Sequence, residues 1–396
     1  MLKMTNQIQH YDWGSKTAMT EIYGIENPDN QPMAELWMGA HPKCSSQVAV
    51  PETGEIIALN QLIAQNPEKY LGEKVAMQFQ RLPFLFKVLC AAQPLSIQVH
   101  PDKSSAEAGF AKENAAGIPL SSPQRNYKDD NHKPELVYAL TPFRAMNAFR
   151  PLAEIAELLS YVANAHPDIP TFIQHPTEQS LSFLFSQLLT MQGPQKSLAI
   201  AVLKSALNSR PGEPWDSIRK MTEFYPDDNG LFTPLLLNIV ELKPGQAMFL
   251  YARTPHAYLE GSALEVMANS DNVLRAGLTS KHIDVAELMA NLDFIPKPAE
   301  TLLTLPMQEK DALNYPVPVN DFNFSIYDLP DYVSPEQVIE LENESASILF
   351  CVEGKVTISS DEQTLIVSAG ESVFLSAIEK IVTLHGNGKV ARVSNN

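Results

Sequence analysis

The chain has 396 residues, of which 44% are hydrophobic and 19% are charged, as is typical of a globular protein with two or three domains. Its 46 acidic and 29 basic side chains give a net charge of −17, which argues against binding to nucleic acid or to anionic membranes. A small anionic ligand fits this charge only where lysine and arginine side chains cluster locally.

The three cysteines, Cys44, Cys90 and Cys351, lie outside any C-x-x-C motif, which is typical of reduced thiols and not of a disulfide framework or a thiolate zinc site. The first residues lack the apolar core of a signal peptide, and no apolar run is long enough to span a bilayer. We therefore expect a soluble, cytoplasmic protein with no membrane partner.

The first part of the chain predicts short strands and loops rich in proline. We interpret Trp13 and Trp37 as core residues. Their polar neighbours Glu35 and His41 are not expected to line a pocket. A later apolar run predicts a buried strand that is interrupted by Lys87. Because an unpaired buried ammonium is costly, this lysine is expected at the mouth of the strand or facing a cavity.

An alternating strand is predicted at residues 96–101. Gln98 and His100 lie on one face of it, so both can reach one metal ion, the glutamine through its carbonyl oxygen and the histidine through a ring nitrogen. Such a pair is more often only a polar pair on a half-buried strand, so a metal site requires further ligands. Glu135, which opens a later predicted strand after the polar residues 131–134, is one candidate.

The pattern changes between residues 151 and 228, where apolar residues recur at helical spacing between prolines and glycines. This predicts an all-α domain inserted into a β domain formed by residues 1–150 and 229–319. In the latter segment a Pro-Gly turn at Gly245 joins two strands, and a Pro-His pair follows. This layout is typical of a small antiparallel barrel in which His256 points inward.

Residues 320–396 show a similar spacing of predicted strands and turns to that barrel. If Gly370 aligns with Gly245, His256 falls on Ile381, so the second copy lacks the metal-binding histidine. We therefore predict a mainly β protein with a jelly-roll catalytic barrel, a helical insert and a second, structural jelly-roll at the C-terminus.

Four candidate ligands now converge on the first barrel: Gln98, His100, Glu135 and His256. Two imidazoles, one carboxylate and one amide oxygen suit Zn²⁺, although two histidines and a carboxylate would also hold Fe²⁺ or Mn²⁺. One carboxylate leaves a bound dication with residual positive charge, so the site can polarise a carbonyl and stabilise an oxyanion.

Several charged residues could complete such a site. Anion binding at the barrel mouth is predicted for the basic residues Lys87, Lys103, Lys133 and Arg275. Arg275 has no opposite charge beside it in the sequence. Glu265 and Asp271 are the carboxylates best placed for proton transfer, although Glu265 could also pair with Arg275 or Lys133.

The chain resembles the type I phosphomannose isomerases, a family of cupin metalloenzymes. The resemblance is carried by four segments, residues 98–103, 132–135, 254–258 and 264–279. The last segment is highly specific for the family, and the resemblance extends over essentially the whole chain.

The resemblance implies a cupin-type barrel, one zinc ion per chain and an aldose–ketose isomerase whose substrate is a phosphorylated hexose, mannose 6-phosphate or fructose 6-phosphate. It assigns the zinc ligands to Gln98, His100, Glu135 and His256, and the catalytic arginine to Arg275. A base would take a proton from C2 and return it to C1 through an enediolate. The candidates for proton transfer and ring opening are Glu265, Asp271, Lys133 and His132, and the sequence does not rank them.

Two other functions fit the same scaffold. One is an Fe²⁺-dependent cupin oxygenase with the same four ligands, which the anion-binding residues disfavour. The other is a non-enzymatic protein that binds sugar phosphates. No helix pair with a basic face accompanies the barrels, so nucleic acid is not expected as a partner, and we expect a monomer or a weak homo-oligomer.

Overall fold

Two β-rich units and one helical unit make up the structure, which is a computed structural model. It describes residues 1–50, 53–329 and 338–395. Among these residues, no helix has both the length and the apolar character needed to cross a membrane. The predicted class, mainly β with a helical insert, is confirmed by this layout.

The first segment contains mostly short strands. The strands are β1 (Leu2–Lys3), β2 (Gln7–Gln9), β3 (Glu35–His41), β4 (Cys44–Ser45), β5 (Gln47–Ala49), β6 (Ile56–Ala58), β7 (Phe84–Ala91), β8 (Ile97–Val99), β9 (Glu135–Ala139) and β10 (Phe143–Phe149). The helices are α1 (Ala18–Tyr23), α2 (Leu59–Gln65), α3 (Pro67–Leu71), α4 (Glu73–Phe79) and α5 (Lys103–Ala115).

The inserted unit is helical because its apolar residues recur every three or four positions, so that each helix buries one face. Its helices are α6 (Leu152–Ser160), α7 (Asp168–Gln174), α8 (Glu178–Thr190), α9 (Gly193–Leu207) and α10 (Trp215–Phe224). The core of this unit also includes Ile97, Val99 and Leu274. The insert therefore packs against the outside of the strands that carry Gln98 and Arg275.

The chain then returns to the first barrel and continues into the C-terminal unit. The returning elements are β11 (Leu237–Leu242), β12 (Ala247–Leu250), β13 (His256–Ala268), β14 (Leu274–Gly277), α11 (Val285–Ala290) and β15 (Leu303–Thr304). The C-terminal strands are β16 (Met307–Glu309), β17 (Ala312–Tyr315), β18 (Asn323–Leu329), β19 (Ile339–Glu342), β20 (Ser347–Ser359), β21 (Thr364–Ser368), β22 (Ser372–Leu375) and β23 (Ile381–Ser394). Short 3₁₀ segments lie at Ala163–Ala165, Asn229–Leu235 and Ala299–Thr301.

Strand β13 connects the two layers of the first barrel. Its first residues pair with β8 and β10, and its later residues pair with β7 and β9, all antiparallel. Gly261 lies between the two parts with φ +112°, and a Cβ there would lie 2.4 Å from the carbonyl oxygen of Pro142. Only glycine lets the strand turn from one layer to the other at this point.

The C-terminal sheet has the strand order β1-β22-β20-β23-β18-β17-β16, with β19 beside β23 and β21 beside β20. Its limits differ from the predicted domain of residues 320–396. Strands β16 and β17 join this sheet because β17 forms a local antiparallel pair with β18. Strand β1, from the start of the chain, joins it by pairing with β22.

The two barrels share a repeated turn and strand, as the alignment of Gly245 with Gly370 predicts. Both glycines have φ +88°. The same offset of 125 residues relates His256 and Ile381, the first residues of β13 and β23. It also makes Gly386 the equivalent of Gly261. The second barrel therefore has the scaffold of the first with an isoleucine at the position of the histidine.

The alternation of side chains places polar groups inside the first barrel. One face of its larger sheet packs against the C-terminal unit, where the ring of Phe86 lies 6.3 Å from Phe324 and 6.0 Å from Phe350. Lys87 follows Phe86 in β7 and faces the opposite side, next to Glu265 of β13. The candidate site lies on this interior face.

Candidate active site

Three potential metal ligands meet where β8, β9 and β13 begin or end. His100 follows β8, Glu135 opens β9 and His256 opens β13. Strand pairing aligns His256 with Gln98 and Glu135 with Met267. The ligand atoms of the two histidines and the glutamate lie within 4.8 Å of one another, and all three side chains are buried.

One carboxylate oxygen lies between the two imidazoles. Glu135 Oε2 is 3.4 Å from His100 Nε2 and 3.3 Å from His256 Nε2. Ligand atoms about 2.0–2.2 Å from a tetrahedral Zn²⁺ are about 3.3 Å apart, so this spacing fits one ion. Within the described chain, His100 Nε2 is buried with no hydrogen-bond partner, as expected of an atom that binds a metal. Gln98 lines the adjoining cavity and offers an amide oxygen as a fourth ligand.

Backbone carbonyl groups orient both imidazoles. His100 Nδ1 is 2.7 Å from the carbonyl oxygen of Asn272, and His256 Nδ1 is 3.0 Å from that of Thr254. Because a carbonyl only accepts, each Nδ1 donates its hydrogen and each Nε2 presents a lone pair toward Glu135. Burial, followed by the charge of Lys133, lowers the pKa of His100 to about 4, so this ring is neutral and free to bind a metal near neutral pH.

Glu135 is ionised although it is buried. Burial alone would raise the pKa of its carboxyl, but the charge of Lys133 holds that pKa well below its usual range. Lys133 Nζ lies 3.0 Å from Oε1, which leaves Oε2 to face the histidines. The structure thus brings together one carboxylate and two imidazoles, with the amide of Gln98 lining the adjoining cavity.

The polar loop after β13 holds a metal ligand and a neighbouring segment in place. The carbonyl of Asn272 accepts from His100, as described above. The side chain of Asn272 accepts from the backbone N–H of Lys128 and donates to the backbone carbonyls of Asp129 and Asn131. One asparagine therefore fixes both His100 and the segment that leads to Glu135, which explains the polar composition of this loop.

Beside the metal ligands, five buried side chains form a row that is linked by hydrogen bonds and by one ion pair. Lys87 Nζ is 2.8 Å from Glu265 Oε2 and 3.6 Å from Glu35 Oε1. The Tyr258 hydroxyl donates to Glu265 Oε1 at 2.7 Å, and the Trp37 indole donates to Glu35 Oε2 at 2.6 Å. Burial would lower the pKa of Lys87, but the two carboxylates raise it above its ordinary value. Four of these side chains, all but Trp37, line a cavity of about 50 Å³.

The interpretation that kept Glu35 away from any pocket is wrong. Its carboxylate lines the same cavity as Lys87. Strand β3 pairs with β7 so that Trp37 lies opposite Lys87, which places Glu35, two residues away, on the interior face as well. Trp37 is buried, as expected of a core residue.

Arg275 lies next to the metal ligands because β14 pairs with β8 and aligns it with Gln98. It is half-buried and makes no hydrogen bond or ion pair with other residues of the described ranges. Burial lowers the pKa of Arg275, and burial together with the charge of Arg275 lowers the pKa of Lys281. Lys128, whose pKa burial lowers, also lies near Arg275. We call Arg275, Lys128 and Lys281 the cationic patch, which fits an anion.

Asp271 is held by two partners of its own. Its Oδ2 lies 2.6 Å from Lys43 Nζ and 3.6 Å from His41 Nε2. Burial would raise the pKa of Asp271, but Lys43 and His41 hold it below its usual value. A carboxylate that is ion-paired and has a lowered pKa is a weak base. Proton transfer by Asp271 is therefore less favoured than the sequence alone suggests.

Lys103 and His132 do not join the metal cluster. Lys103 is about half exposed, and its Nζ donates to the carbonyl of Asp130 at 2.9 Å. His132 Nε2 lies 2.9 Å from Asp321 Oδ2. Both residues line a second cavity that shares no lining residue with the first. Substrate binding by Lys103 and proton transfer by His132 stay predictions, and both side chains lie apart from the metal cluster.

Family models match all three units. The model of the phosphomannose isomerase type I catalytic domain matches residues 1–152, and that of the type I helical insertion domain matches residues 158–237. The model of the mannose-6-phosphate isomerase cupin domain matches residues 311–395. The chain belongs to the type I phosphomannose isomerase family. The resemblance found in the sequence is confirmed, and the C-terminal unit is a cupin domain.

Relatives in this family match the chain over its full length. The mannose-6-phosphate isomerase of Escherichia coli (strain K12) is 60% identical over 100% of both chains. That of Homo sapiens is 36% identical over 94% of this chain and 93% of the human one. A crystal structure of a mutant phosphomannose isomerase from Salmonella typhimurium has a TM-score of 0.97, with 59% identity over 100% of this chain and 99% of that one. A zinc-bound mannose 6-phosphate isomerase has a TM-score of 0.95, with the same identity and coverage.

Four residues of this type I phosphomannose isomerase site are absent from the sequence-based predictions: Glu35, Tyr258, Lys128 and Lys281. A usable signal exists for two of them. Glu35 is a charge within a buried strand, as Lys87 is, and Tyr258 lies two residues after His256 on the same strand face. Lys128 and Lys281 lie outside strands and helices, where no pattern indicates which side chains meet.

The burial of His41 predicts a loss of stability in mild acid. Burial lowers the pKa of His41 to about 4 in the folded chain, whereas a histidine in the unfolded chain takes up a proton near pH 6.5. Stability is therefore lost as the pH falls from about 6.5 to about 4, and the loss at pH 5 is about 2 kcal/mol. The His41→Gln variant should show a smaller difference in urea unfolding between pH 7.5 and pH 5.

A matched control is His175→Gln, which replaces an exposed histidine and should keep the pH dependence of the natural chain. An equal pH dependence in His41→Gln and the natural chain would contradict this role of His41.

Proposed function

We propose that this chain is a zinc-dependent isomerase that interconverts mannose 6-phosphate and fructose 6-phosphate, with one zinc ion per chain. The observation that carries the proposal is the buried cluster of His100, Glu135 and His256 beside an unpaired arginine. It occurs in a chain 60% identical to the mannose-6-phosphate isomerase of Escherichia coli. Structures of similar proteins contain zinc.

Four residues of the chain would hold the zinc ion: Gln98, His100, Glu135 and His256. The spacing of Glu135 and the two imidazoles, together with the orphaned Nε2 of His100, supports this set. When bound, the ion supplies Lewis-acid polarisation of substrate oxygens. All other steps require groups of the protein.

The isomerisation moves one hydrogen from C2 to C1 without a net oxidation or reduction. A base removes the C2 proton, and the electron pair of that bond forms the double bond of an enediol between C1 and C2. The proton then returns at C1 while the carbonyl group moves to C2. The protein must therefore supply a base, donors for the oxygens that gain charge and an anchor for the phosphate.

Lys133 is our candidate for the group that carries this proton. Its Nζ lies 3.0 Å from Glu135, so the amine reaches the metal cluster, and it lines the interior cavity. The other candidates are engaged elsewhere. Glu265 accepts hydrogen bonds from Lys87 and Tyr258, and Asp271 forms an ion pair with Lys43. His132 lines the second cavity. Lys133 acts as a base only as the neutral amine.

The row formed by Lys87, Glu265 and Tyr258 is proposed to orient the sugar and to assist ring opening. Lys87 and Tyr258 both donate to Glu265, so this carboxylate has a defined orientation. A fixed carboxylate and ammonium can hold sugar hydroxyl groups and pass a proton between the ring oxygen and O1. Lys87 thus remains a proposed substrate-binding residue.

The phosphate is proposed to bind at the cationic patch. Arg275 offers a guanidinium with no carboxylate partner in the described part of the chain. Planar guanidinium groups bind phosphate through two parallel hydrogen bonds. Lys128 and Lys281 lie close enough to Arg275 for burial and its charge to lower their pKa values, so both add positive charge near it.

We also propose a cytoplasmic location and a monomeric or weakly associating state. Cys44, Cys90 and Cys351 are all free thiols, as in a reducing compartment. Sedimentation velocity would measure the state directly, and a tight dimer would contradict this proposal.

Removal of the metal should abolish the reaction. In a coupled assay on mannose 6-phosphate, a chelator is expected to remove the activity, and added Zn²⁺ is expected to restore it. The His100→Ala variant should lose both zinc and activity, whereas His175→Ala, which replaces an exposed histidine, should keep both. Activity that resists the chelator would disprove the metal mechanism.

Replacement of Arg275 tests the anion site. Because Arg275 is not a ligand, Arg275→Ala should retain zinc, while kcat/KM should fall about a hundredfold through the loss of charge stabilisation. Arg219→Ala on α10 is the control and should have normal activity. A fall of less than about tenfold with zinc retained would contradict the role of Arg275.

Replacement of Lys133 tests the proton carrier. Lys133→Met should lower kcat by about a hundredfold or more, because the general base is lost. KM should change much less, since the phosphate anchor and the hydrogen-bonded row remain. Lys243→Met, at an exposed turn, is the matched control. A normal kcat in Lys133→Met would assign the base to another residue.

A further inference from the structure

A second cavity lies at the junction of the first barrel and the C-terminal unit. Its volume is about 590 Å³, which is enough for a small metabolite. Its walls come from α4, the loop before β7, the first turn of α5, the segment before β9 and the connection between β17 and β18. The isomerase chemistry proposed above uses none of the residues that line it.

One extended segment separates this cavity from the metal cluster. Lys133 directs its ammonium to Glu135, whereas the preceding residue, His132, directs its Nε2 to Asp321 in the second cavity. Successive side chains of an extended chain point to opposite sides. The two cavities therefore lie back to back, and both can be occupied at the same time.

Two cations line the second cavity, Arg81 and Lys103, and no residue that the structure describes neutralises Arg81. Arg81 lines it and has no ion pair or hydrogen bond within the ranges that the structure describes. Lys103, from another wall of the cavity, donates to a backbone carbonyl and lies 3.5 Å from Glu107. Asp321, the acidic residue among those that line the cavity, is engaged by His132. In a chain with a net charge of −17, such a site favours an anion.

The remaining walls match a molecule with hydroxyl groups and a short carbon chain. Gln78 and Asn320 bring side-chain amides, which can donate to and accept from hydroxyls. Phe79 and Val319 bring apolar surface. We propose that this cavity is a second ligand site, which binds a phosphorylated polyol with its phosphate at Arg81 and Lys103.

The test is a calorimetric titration of the zinc-loaded full chain with mannitol 6-phosphate, which has no carbonyl and cannot be isomerised. The natural chain is expected to bind two equivalents, one at the metal cluster, which rests on the proposed function, and one at the second cavity. Arg81→Gln should weaken the second equivalent about tenfold or more, because a charge-assisted hydrogen bond to phosphate is lost. Lys74→Gln, which removes an exposed cation of α4 outside both cavities, should bind two equivalents normally.

A second variant and a second probe complete the test. Lys103→Gln should weaken the same equivalent, so the result does not depend on one substitution. Inorganic phosphate should occupy the second site at least tenfold more weakly than mannitol 6-phosphate, because it leaves Gln78 and Asn320 without partners. A single equivalent that neither Arg81→Gln nor Lys103→Gln weakens, two equivalents of full affinity in both variants, or equal affinity for the two probes at the second site would overturn the proposal.

Discussion

The active site depends on one buried carboxylate oxygen that faces two imidazole nitrogens, at 3.3 and 3.4 Å. The orientation of both rings by backbone carbonyls turns their lone pairs toward Glu135, so three acceptors point at one another. Without a cation between them, the three acceptors repel one another and His100 Nε2 has no hydrogen-bond partner. Both effects cost free energy in a buried site. A divalent ion at the common point removes both penalties, so the surrounding structure is organised around its ligands.

Strand pairing explains how ligands from distant parts of the chain meet. His256 opens β13, which pairs with the strand of Gln98 at its beginning and with the strand of Glu135 at its end. The turn at Gly261 allows one strand to serve both layers. The C-terminal barrel keeps the corresponding glycine, Gly386, but has Ile381 at the position of the histidine. The scaffold thus forms without a histidine at this position.

Much of this could be predicted from the sequence, because the fold class and the four ligands depend on local patterns. Gln98 and His100 share one strand face, and Glu135 and His256 each open a strand. Glu35, by contrast, was misjudged, because its position inside the barrel depends on the register of β3 against β7. That register is set by contacts between distant segments, which one sequence does not reveal. The lysines of the cationic patch were missed for the same reason, since loops bring them together.

His132 and Lys133 are adjacent in the sequence, but their side chains lie in different cavities. Proximity to a ligand in the sequence therefore does not place a side chain in the active site. Both precede Glu135 closely, and nearness to a ligand suggested that both would serve the reaction. In an extended segment, however, neighbours face opposite sides, so one residue reaches the metal cluster and the other reaches the junction with the C-terminal unit. Each cavity of this acidic chain is therefore lined by two cations, Lys87 and Lys133 in the first and Arg81 and Lys103 in the second. A segment that must position Lys133 also forms a wall of the second cavity, so its conformation is constrained from both sides.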